Sequence, residues 1–115
     1  EIASCLVGSE MCIRDRYQAM HAYVEANINY TKEYVEKYLP GVKMTDLEGT
    51  YLVWLDFRET GLTVEELEDL ILNKARLWLD SGKIFGKAGE GFQRINVACP
   101  RATLTEALER IRKAF

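Results

Sequence analysis

The sequence predicts an α+β domain in which helices pack on one side of a small sheet. Apolar residues recur at helical spacing near both ends of the chain, and the middle holds short segments of strand composition separated by turn residues. The chain has 115 residues, a length typical of one domain or of part of one. Its 48% hydrophobic and 29% charged residues give the balance of a folded globular protein.

The first sixteen residues are set apart from the rest. Residues 1–16 have neither a helical period nor strand alternation, and they lack the basic start and long apolar stretch of a signal peptide. Residues 6–15, LVGSEMCIRD, resemble one translated reading frame of a sequencing-library adapter. We therefore interpret 1–16 as a non-native segment and expect the natural protein to continue upstream. The alternative is a genuine N-terminal arm.

A long helix is predicted for residues 17–39. Its apolar residues follow one helical stripe: Tyr17, Met20, Val24, Ile28, Thr31, Val35, Tyr38 and Leu39. About 22 residues at a rise of 1.5 Å make a helix of roughly 33 Å, which is long for so small a domain. Pro40 and Gly41 end it. We divide the remaining chain into a linker helix, 17–41, and a small domain, 42–115.

The middle of the chain predicts strands and a turn-rich loop. Residues 50–57 are rich in aromatic and β-branched side chains and read as a strand buried on both faces, preceded at 42–48 by a connector or short edge strand. The apolar run 77–79 and the alternating segment 92–98 predict two more strands. Four glycines within 82–91 predict a loop whose backbone adopts conformations that side chains disfavour.

Two capping boxes predict where the remaining helices begin. Thr63 with Glu66, and Thr103 with Glu106, have the spacing at which each side chain can bond the backbone of the other residue. The apolar face predicted for the last helix comprises Leu104, Ala107, Leu108, Ile111 and Phe115. The predicted order is therefore α-β-α-β-β-α.

Composition argues against several classes of function. A net charge of −3 and a pI of about 5.2 disfavour nucleic acid or an anionic membrane surface as partners. No apolar run reaches the ~20 residues of a membrane-spanning helix. The single histidine, His21, is expected on the surface, and the three cysteines match no zinc spacing, so no metal site is expected. Cys99 is expected to be a packing residue, and a reducing, cytoplasmic setting fits best.

The glycine-rich loop does not form a phosphate-binding loop. That motif needs four residues between its glycines, whereas three separate Gly82 from Gly86. It also needs Ser or Thr after its lysine, where this chain has Ala88.

Arg94 is the residue that simple packing does not explain. It lies within the apolar segment 92–98, on the same face as Asn96 and beside the glycine-rich loop. A charge in such a place costs several kcal/mol unless it is paired or hydrogen-bonded. Its partner is either an internal Asp or Glu, or the carboxylate of a ligand, because Arg binds planar carboxylates with two parallel hydrogen bonds.

Three segments carry a resemblance to a known family. Residues 48–58 (EGTYLVWLDFR), 82–86 (GKIFG) and 91–101 (GFQRINVACPR) resemble, in order and spacing, the C-terminal small domain of pyridoxal-phosphate (PLP) enzymes of the aspartate-aminotransferase fold. Within this class I/II aminotransferase group (PLP fold type I), the MalY/PatB-type cystathionine β-lyases resemble it most. The likeness extends over 17–115. It implies that the long helix joins a cofactor domain to the small domain.

The resemblance also implies roles for single residues. In such enzymes the arginine of the R-x-N motif binds the α-carboxylate of the substrate, and Arg94 matches that position. Asn96 and Arg101 match the pattern and are expected to shape the loop through hydrogen bonds. Phe85 and Gly86 are expected near the mouth of the pocket.

The family's cofactor residues have no counterpart here. Its Schiff-base lysine, the aspartate on the pyridine nitrogen and the phosphate-binding residues belong to the large domain, and none of the seven lysines of this chain matches the cofactor-lysine motif. We therefore expect no catalytic and no cofactor-binding residue in this chain. PLP is expected only in the full-length enzyme, and the chain alone is expected to be inactive.

The expected partners follow from the same resemblance. They are an amino-acid substrate such as cystathionine, the missing N-terminal cofactor domain and a second subunit in a homodimer, with no nucleic acid and no membrane. Two alternatives stay open. The parent enzyme could be an aminotransferase, or the chain could be a free-standing α+β module that binds amino acids or another protein.

Overall fold

The computed structural model describes the backbone of residues 2–115 and the side chains of residues 12–115. Its helices and strands are α1 (Ile2–Tyr38), β1 (Lys43–Met44), β2 (Leu52–Asp56), α2 (Val64–Asp69), β3 (Asp80–Ser81), β4 (Phe92–Asn96) and α3 (Arg101–Ala114). One turn of π-helix, Leu70–Lys74, extends α2. Within this described part, no helix combines the length and the apolarity that crossing a membrane requires.

Helix α1 begins at Ile2, so the prediction that helical structure starts at Tyr17 is wrong. The physical reason is that this stretch contains no proline and a single glycine, Gly8, and therefore nothing that breaks a helix already stabilised further along. The adapter-like origin of 1–16 is a separate matter and stays a prediction. The described side chains before Val24 are solvent-exposed, and the helix makes the molecule 62 Å long but only 28 and 24 Å across.

The four strands form one antiparallel sheet in the order β1-β2-β4-β3. Helices cover one face, which buries residues of β2 and β4 such as Val53, Leu55 and Ile95. The alternation predicted for 92–98 is confirmed. Burial of the 50–57 strand on both faces is wrong, because Trp54 on the other face is half-buried.

The core lies between the covered face of the sheet and the helices. It is built from fully buried side chains of α1, the sheet and α3, among them Val35, Phe57, Leu104, Leu108 and Ile111. The buried positions of α3 are those of its predicted apolar stripe. The exceptions are Ala107, which is partly exposed, and Phe115, which is half-exposed and stacks on Phe57.

The capping box at Thr63 is confirmed, whereas the one at Thr103 is wrong. The Glu66 backbone N–H donates to the Thr63 hydroxyl at 3.2 Å, and the Glu66 carboxylate accepts from the Thr63 backbone N–H at 3.0 Å. Helix α3 instead begins at Arg101, with Pro100 at its N-cap. Pro100 has no N–H to satisfy and a fixed φ, so the helix can begin before Thr103.

The strand predicted at 77–79 is also wrong, because pairing begins three residues later, in β3. Arg76 has φ of +55°, a left-handed conformation that ends the preceding helix and reverses the chain. Trp78 then lies 91% exposed rather than in the sheet. An apolar run thus indicated a strand at a place where the backbone is still turning.

Candidate functional site

Arg94 occupies the middle of β4, flanked on both sides by other strands. Trp54 of β2 and Asp80 of β3 are its register neighbours. The Arg94 side chain is 25% exposed and makes an ion pair with Asp80: Nε donates to Asp80 Oδ2 at 3.1 Å, and Nη2 donates to the same oxygen at 2.7 Å. The internal acidic partner considered from the sequence therefore exists.

This ion pair uses one edge of the guanidinium. A guanidinium offers five N–H groups, and a carboxylate can bind either the Nε/Nη2 edge or the Nη1/Nη2 end. Asp80 takes the first edge with a single oxygen. Among the side chains that the structure describes, none accepts a hydrogen bond from Arg94 Nη1. An internal partner and a ligand carboxylate are therefore compatible at this arginine.

Phe85 supports the flat face of the same guanidinium. The Arg94 carbon Cζ lies 4.7 Å from the centre of the Phe85 ring, a cation–π distance. The Phe85 ring in turn meets Trp54 edge-on, with centroids 5.2 Å apart. Asp80 fixes the guanidinium in its plane and Phe85 limits its tilt.

The loop that carries Phe85 is closed by two glycines. A Cβ built on Gly82 would overlap the carbonyl oxygen of Gly89, and a Cβ on Gly89 would overlap that of Gly82. Gly86, next to Phe85, has φ of +115°, a conformation that L side chains rarely adopt. The prediction of a loop that requires glycine is confirmed, and its cause is backbone packed directly on backbone.

A groove of about 320 Å³ lies beside Arg94 and Asp80, a size suited to a small molecule. Its other walls are mainly apolar and include Trp78, Cys99 and Ala107. Burial raises the pKa of the Cys99 thiol, which keeps it protonated and unsuited to nucleophilic attack. The groove is thus lined by one Arg–Asp ion pair and by a mainly apolar wall.

Asn96 and Arg101 make contacts within the chain. The Asn96 side-chain oxygen accepts a hydrogen bond from the Ala98 backbone N–H at 2.8 Å, which turns the chain after β4. Arg101 Nε donates to the Asn27 side-chain oxygen at 2.7 Å, and its guanidinium lies over the Tyr30 ring. Arg101 therefore points toward α1 and connects α3 to it.

Asn27 is a structural residue that the sequence reasoning missed. It is fully buried, and its side-chain NH₂ donates to the carbonyl oxygens of Val97 and Cys99, each at 2.9 Å. With the bond from Arg101, this one amide joins α1, the end of β4 and the start of α3. A polar residue inside the apolar stripe of α1, beside Ile28, was the available signal.

The lysines do not fit a cofactor-binding role. All seven are solvent-exposed. The hydrogen bond to Glu59 raises the pKa of Lys43, and the hydrogen bond to Glu68 raises the pKa of Lys83. A lysine that forms a Schiff base needs an environment that favours the neutral amine, such as an apolar pocket. The residues of this chain therefore do not fit covalent attachment of an aldehyde cofactor.

Neither His21 nor the possible metal ligands of the described residues form a candidate functional site. His21 is exposed on α1 next to Tyr17, whose ring centre is 5.9 Å away. Among the described residues, no group of three or more His, Cys, Asp or Glu side chains is placed to hold a metal ion. Arg94 with its groove is therefore the candidate site that the geometry favours.

Known proteins match this chain over most of its length. No protein-family model matches it. Cystathionine β-lyase PatB of Bacillus subtilis is 41% identical over 93 residues, which are 81% of this chain and 24% of PatB. An aspartate aminotransferase of Pyrococcus horikoshii is 37% identical over 79 residues, 69% of this chain and 20% of that enzyme.

Solved structures give the same result. Cystalysin of Treponema denticola, whose crystal structure contains PLP, superposes with a TM-score of 0.80 and 37% identity over 84% of this chain and 25% of cystalysin. The chain thus spans about a quarter of the length of these relatives. The expected α+β fold is confirmed. The chain is a homologue of the cystathionine β-lyases and the PLP-dependent aminotransferases, and it has the fold of their C-terminal domain.

Proposed function

We propose that this chain is the C-terminal part of a PLP-dependent carbon–sulfur β-lyase, in which Arg94 binds the α-carboxylate of the amino-acid substrate. The proposal rests on the burial and the hydrogen-bond partners of Arg94. Arg94 is half-buried and lines the groove, and its Nη1 atom has no hydrogen-bond partner among the described side chains. A carboxylate bound there would complete the hydrogen bonding of the guanidinium.

Arg94 would act by orienting the substrate. A carboxylate held by two parallel hydrogen bonds fixes both the position and the rotation of an amino acid, which lowers the entropy cost of reaching the reactive geometry. The apolar wall of the groove would limit the access of water to one side of the bound carboxylate and so strengthen its attraction to Arg94. Arg94 itself moves no proton, since its guanidinium stays protonated.

The cofactor belongs to a part of the parent enzyme other than this chain. When bound, PLP supplies an electron sink for carbanion chemistry. All seven lysines are exposed, and Lys43 and Lys83 are ion-paired, which argues that this chain contributes no covalent anchor to it. The proposal includes a cytoplasmic homodimer acting on a substrate such as cystathionine, and a chain that is inactive in isolation.

An aminotransferase is the second candidate, supported by the similarity to the Pyrococcus enzyme. Both activities require a carboxylate-binding arginine, so Arg94 does not separate them. The products do: a β-lyase releases a thiol, pyruvate and ammonia from cystathionine, whereas an aminotransferase passes the amino group to a keto acid. A free-standing amino-acid-binding module would bind substrate without either product.

A chimaera provides the test. The 93 aligned residues of this chain replace their counterparts in Bacillus subtilis PatB, and pyruvate release from cystathionine is measured. We expect R94A to lower kcat/KM by a factor of about 30 to 1000, equivalent to roughly 2–4 kcal/mol. R58A, which removes another Arg–Asp pair of the same sheet, is the matched control and should leave kcat/KM unchanged. An unchanged kcat/KM in R94A refutes the assigned role.

A further inference from the structure

We propose that Asp80 is the positioning residue of the Arg94 carboxylate site. It holds the Nε/Nη2 edge of Arg94 and so directs the Nη1/Nη2 end toward the incoming ligand. This inference rests on the proposed function of Arg94. It adds a second residue, with a role that the resemblance does not assign.

The backbone fixes the relative placement of the two residues. Asp80 and Arg94 are register partners on the adjacent strands β3 and β4. Their side chains therefore leave the sheet side by side on one face. A short aspartate side chain has few rotamers, so the sheet sets the position of its carboxylate closely. Arg94, which is long and flexible, acquires a fixed direction from this contact.

Asp80 contacts Arg94 through only one of its two carboxylate oxygens. Both hydrogen bonds end on Oδ2, at 3.1 Å from Nε and 2.7 Å from Nη2. The Asp80 side chain is 46% exposed and lines the groove, so its second oxygen can stay hydrated. Asp80 thus balances the charge of Arg94 without occupying the Nη1 end.

Phe85 completes the support from a different direction. Its ring lies 4.7 Å from the Arg94 Cζ and covers one face of the guanidinium. With one edge on Asp80 and one face on Phe85, the part of the guanidinium left for a ligand is the Nη1/Nη2 end. The structure therefore predicts which nitrogen atoms a bound carboxylate should contact.

Side-chain NMR of the 115-residue chain tests this prediction. In the ¹⁵N-labelled protein, the Nε–Hε signals of Arg94 and Arg58 report on two separate Arg–Asp pairs. We expect D80A to speed hydrogen exchange at Arg94 Nε by at least about tenfold and to leave Arg58 unchanged. D80N keeps an acceptor oxygen and should change the rate much less. Equal exchange at Arg94 in the wild type and D80A overturns the proposal.

Titration with L-alanine identifies the edge that a carboxylate uses. In the wild type, L-alanine should shift the Arg94 Nη signals and leave Nε–Hε in place. In D80A, where the Nε edge is free, L-alanine should shift Nε–Hε as well. L-alaninamide, which lacks the carboxylate, is the control and should shift neither. A wild-type protein in which L-alanine displaces Asp80 and moves Nε–Hε contradicts the positioning role.

Failure of the two proposals can be told apart. If D80A speeds exchange at Arg94 Nε, but L-alanine moves no Arg94 signal in either protein and R94A leaves kcat/KM of the PatB chimaera unchanged, Asp80 orients Arg94 and the carboxylate-binding function is refuted. If L-alanine shifts Arg94 Nη and D80A leaves both the exchange rate and the edge unchanged, Arg94 binds the carboxylate and the role of Asp80 is refuted. Backbone amide spectra that match among D80A, D80N and the wild type, away from residue 80, establish that the fold is intact.

Discussion

Two arginine–aspartate pairs lie at the sheet, one at the end of β2 and one between β3 and β4, and they are built in opposite ways. In the first, Asp56 is 12% exposed and Arg58 is 62% exposed, and Nε and Nη2 of Arg58 bond separate oxygens of Asp56 at 3.0 and 2.8 Å. In the second, Arg94 is 25% exposed, Asp80 is 46% exposed, and both nitrogens bond one oxygen.

The two pairs differ in which member is buried and therefore needs the other for its hydrogen bonds. Asp56 is the buried member of its pair and accepts a third hydrogen bond from the Arg58 backbone N–H at 2.9 Å, so the arginine satisfies the aspartate. Arg94 is the buried member of the other pair, and Asp80 satisfies it in part. Water can complete the hydrogen bonding of an exposed Arg58, whereas the half-buried Arg94 keeps bonding capacity for a ligand.

The largest expected effect comes from breaking the loop that supports the Arg94 pair. G82A and G89A each place a Cβ against backbone and should lower the free energy of unfolding by about 3 kcal/mol, as overpacking does. Urea denaturation of the chain measures it. G49A is the control, because nothing lies within 4 Å of the position of its Cβ. A G82A protein as stable as G49A would contradict the close approach of the two backbones.

The second-largest loss of stability is expected from removing the Asn27 amide, which bonds the chain just beyond β4. N27A leaves the carbonyls of Val97 and Cys99 without their buried donor and should cost about 2 kcal/mol. N29A, an exposed asparagine on the same helix, should change stability little. The comparison of their denaturation midpoints checks this. Equal midpoints would show that water replaces the Asn27 amide at no cost.

The stability that the Asp56–Arg58 pair contributes should depend on pH. The hydrogen bond from Arg58 lowers the pKa of Asp56 below its usual 3.8, so the pair stabilises the fold wherever Asp56 is ionised. This stability is complete above about pH 4 and is lost as pH falls through the folded pKa. D56N should cost about 1 kcal/mol at pH 7 and less at pH 2. Urea denaturation at both pH values measures this, and a cost independent of pH would contradict it.

The smallest losses of stability are expected from replacing the two phenylalanines that lie against Arg94 and Arg58. F85L removes the ring beneath Arg94, and F92L removes the ring that lies 4.7 Å from the Cζ of Arg58. Each should cost about 0.5–1 kcal/mol from the cation–π contact, besides any change in packing. Hydrogen exchange at Nε should increase at Arg94 in F85L and at Arg58 in F92L. A crossed or shared response would show that the pairs are coupled through Trp54.

Features governed by local chemistry were predictable from sequence. The Thr63 capping box, the alternation of β4 and the glycine dependence of the loop each depend on residues close together in the chain. The sequence also identified Arg94 as unusual, because a charge in an apolar strand needs an explanation wherever the strand lies.

Features governed by long-range placement were not predictable. Asp80 becomes the partner of Arg94 only through the register of β3 on β4, and the apolar run before it indicated a strand in the wrong place. Asn27 finds its partners 70 and 72 residues away. The start of α3 at Arg101 likewise involves a bond from its backbone N–H to the Tyr23 hydroxyl on a distant helix.

The contact between Gly82 and Gly89 has a practical consequence. It closes the intervening segment into a ring through main chain alone, so the exposed side chains of Ile84, Lys87 and Ala88 carry none of the closure. These three positions are therefore suited to randomisation by an engineer who wishes to alter the surface of the loop that carries Phe85. Such a library would vary the exposed side chains of the loop while the main-chain contact that closes it stays unchanged.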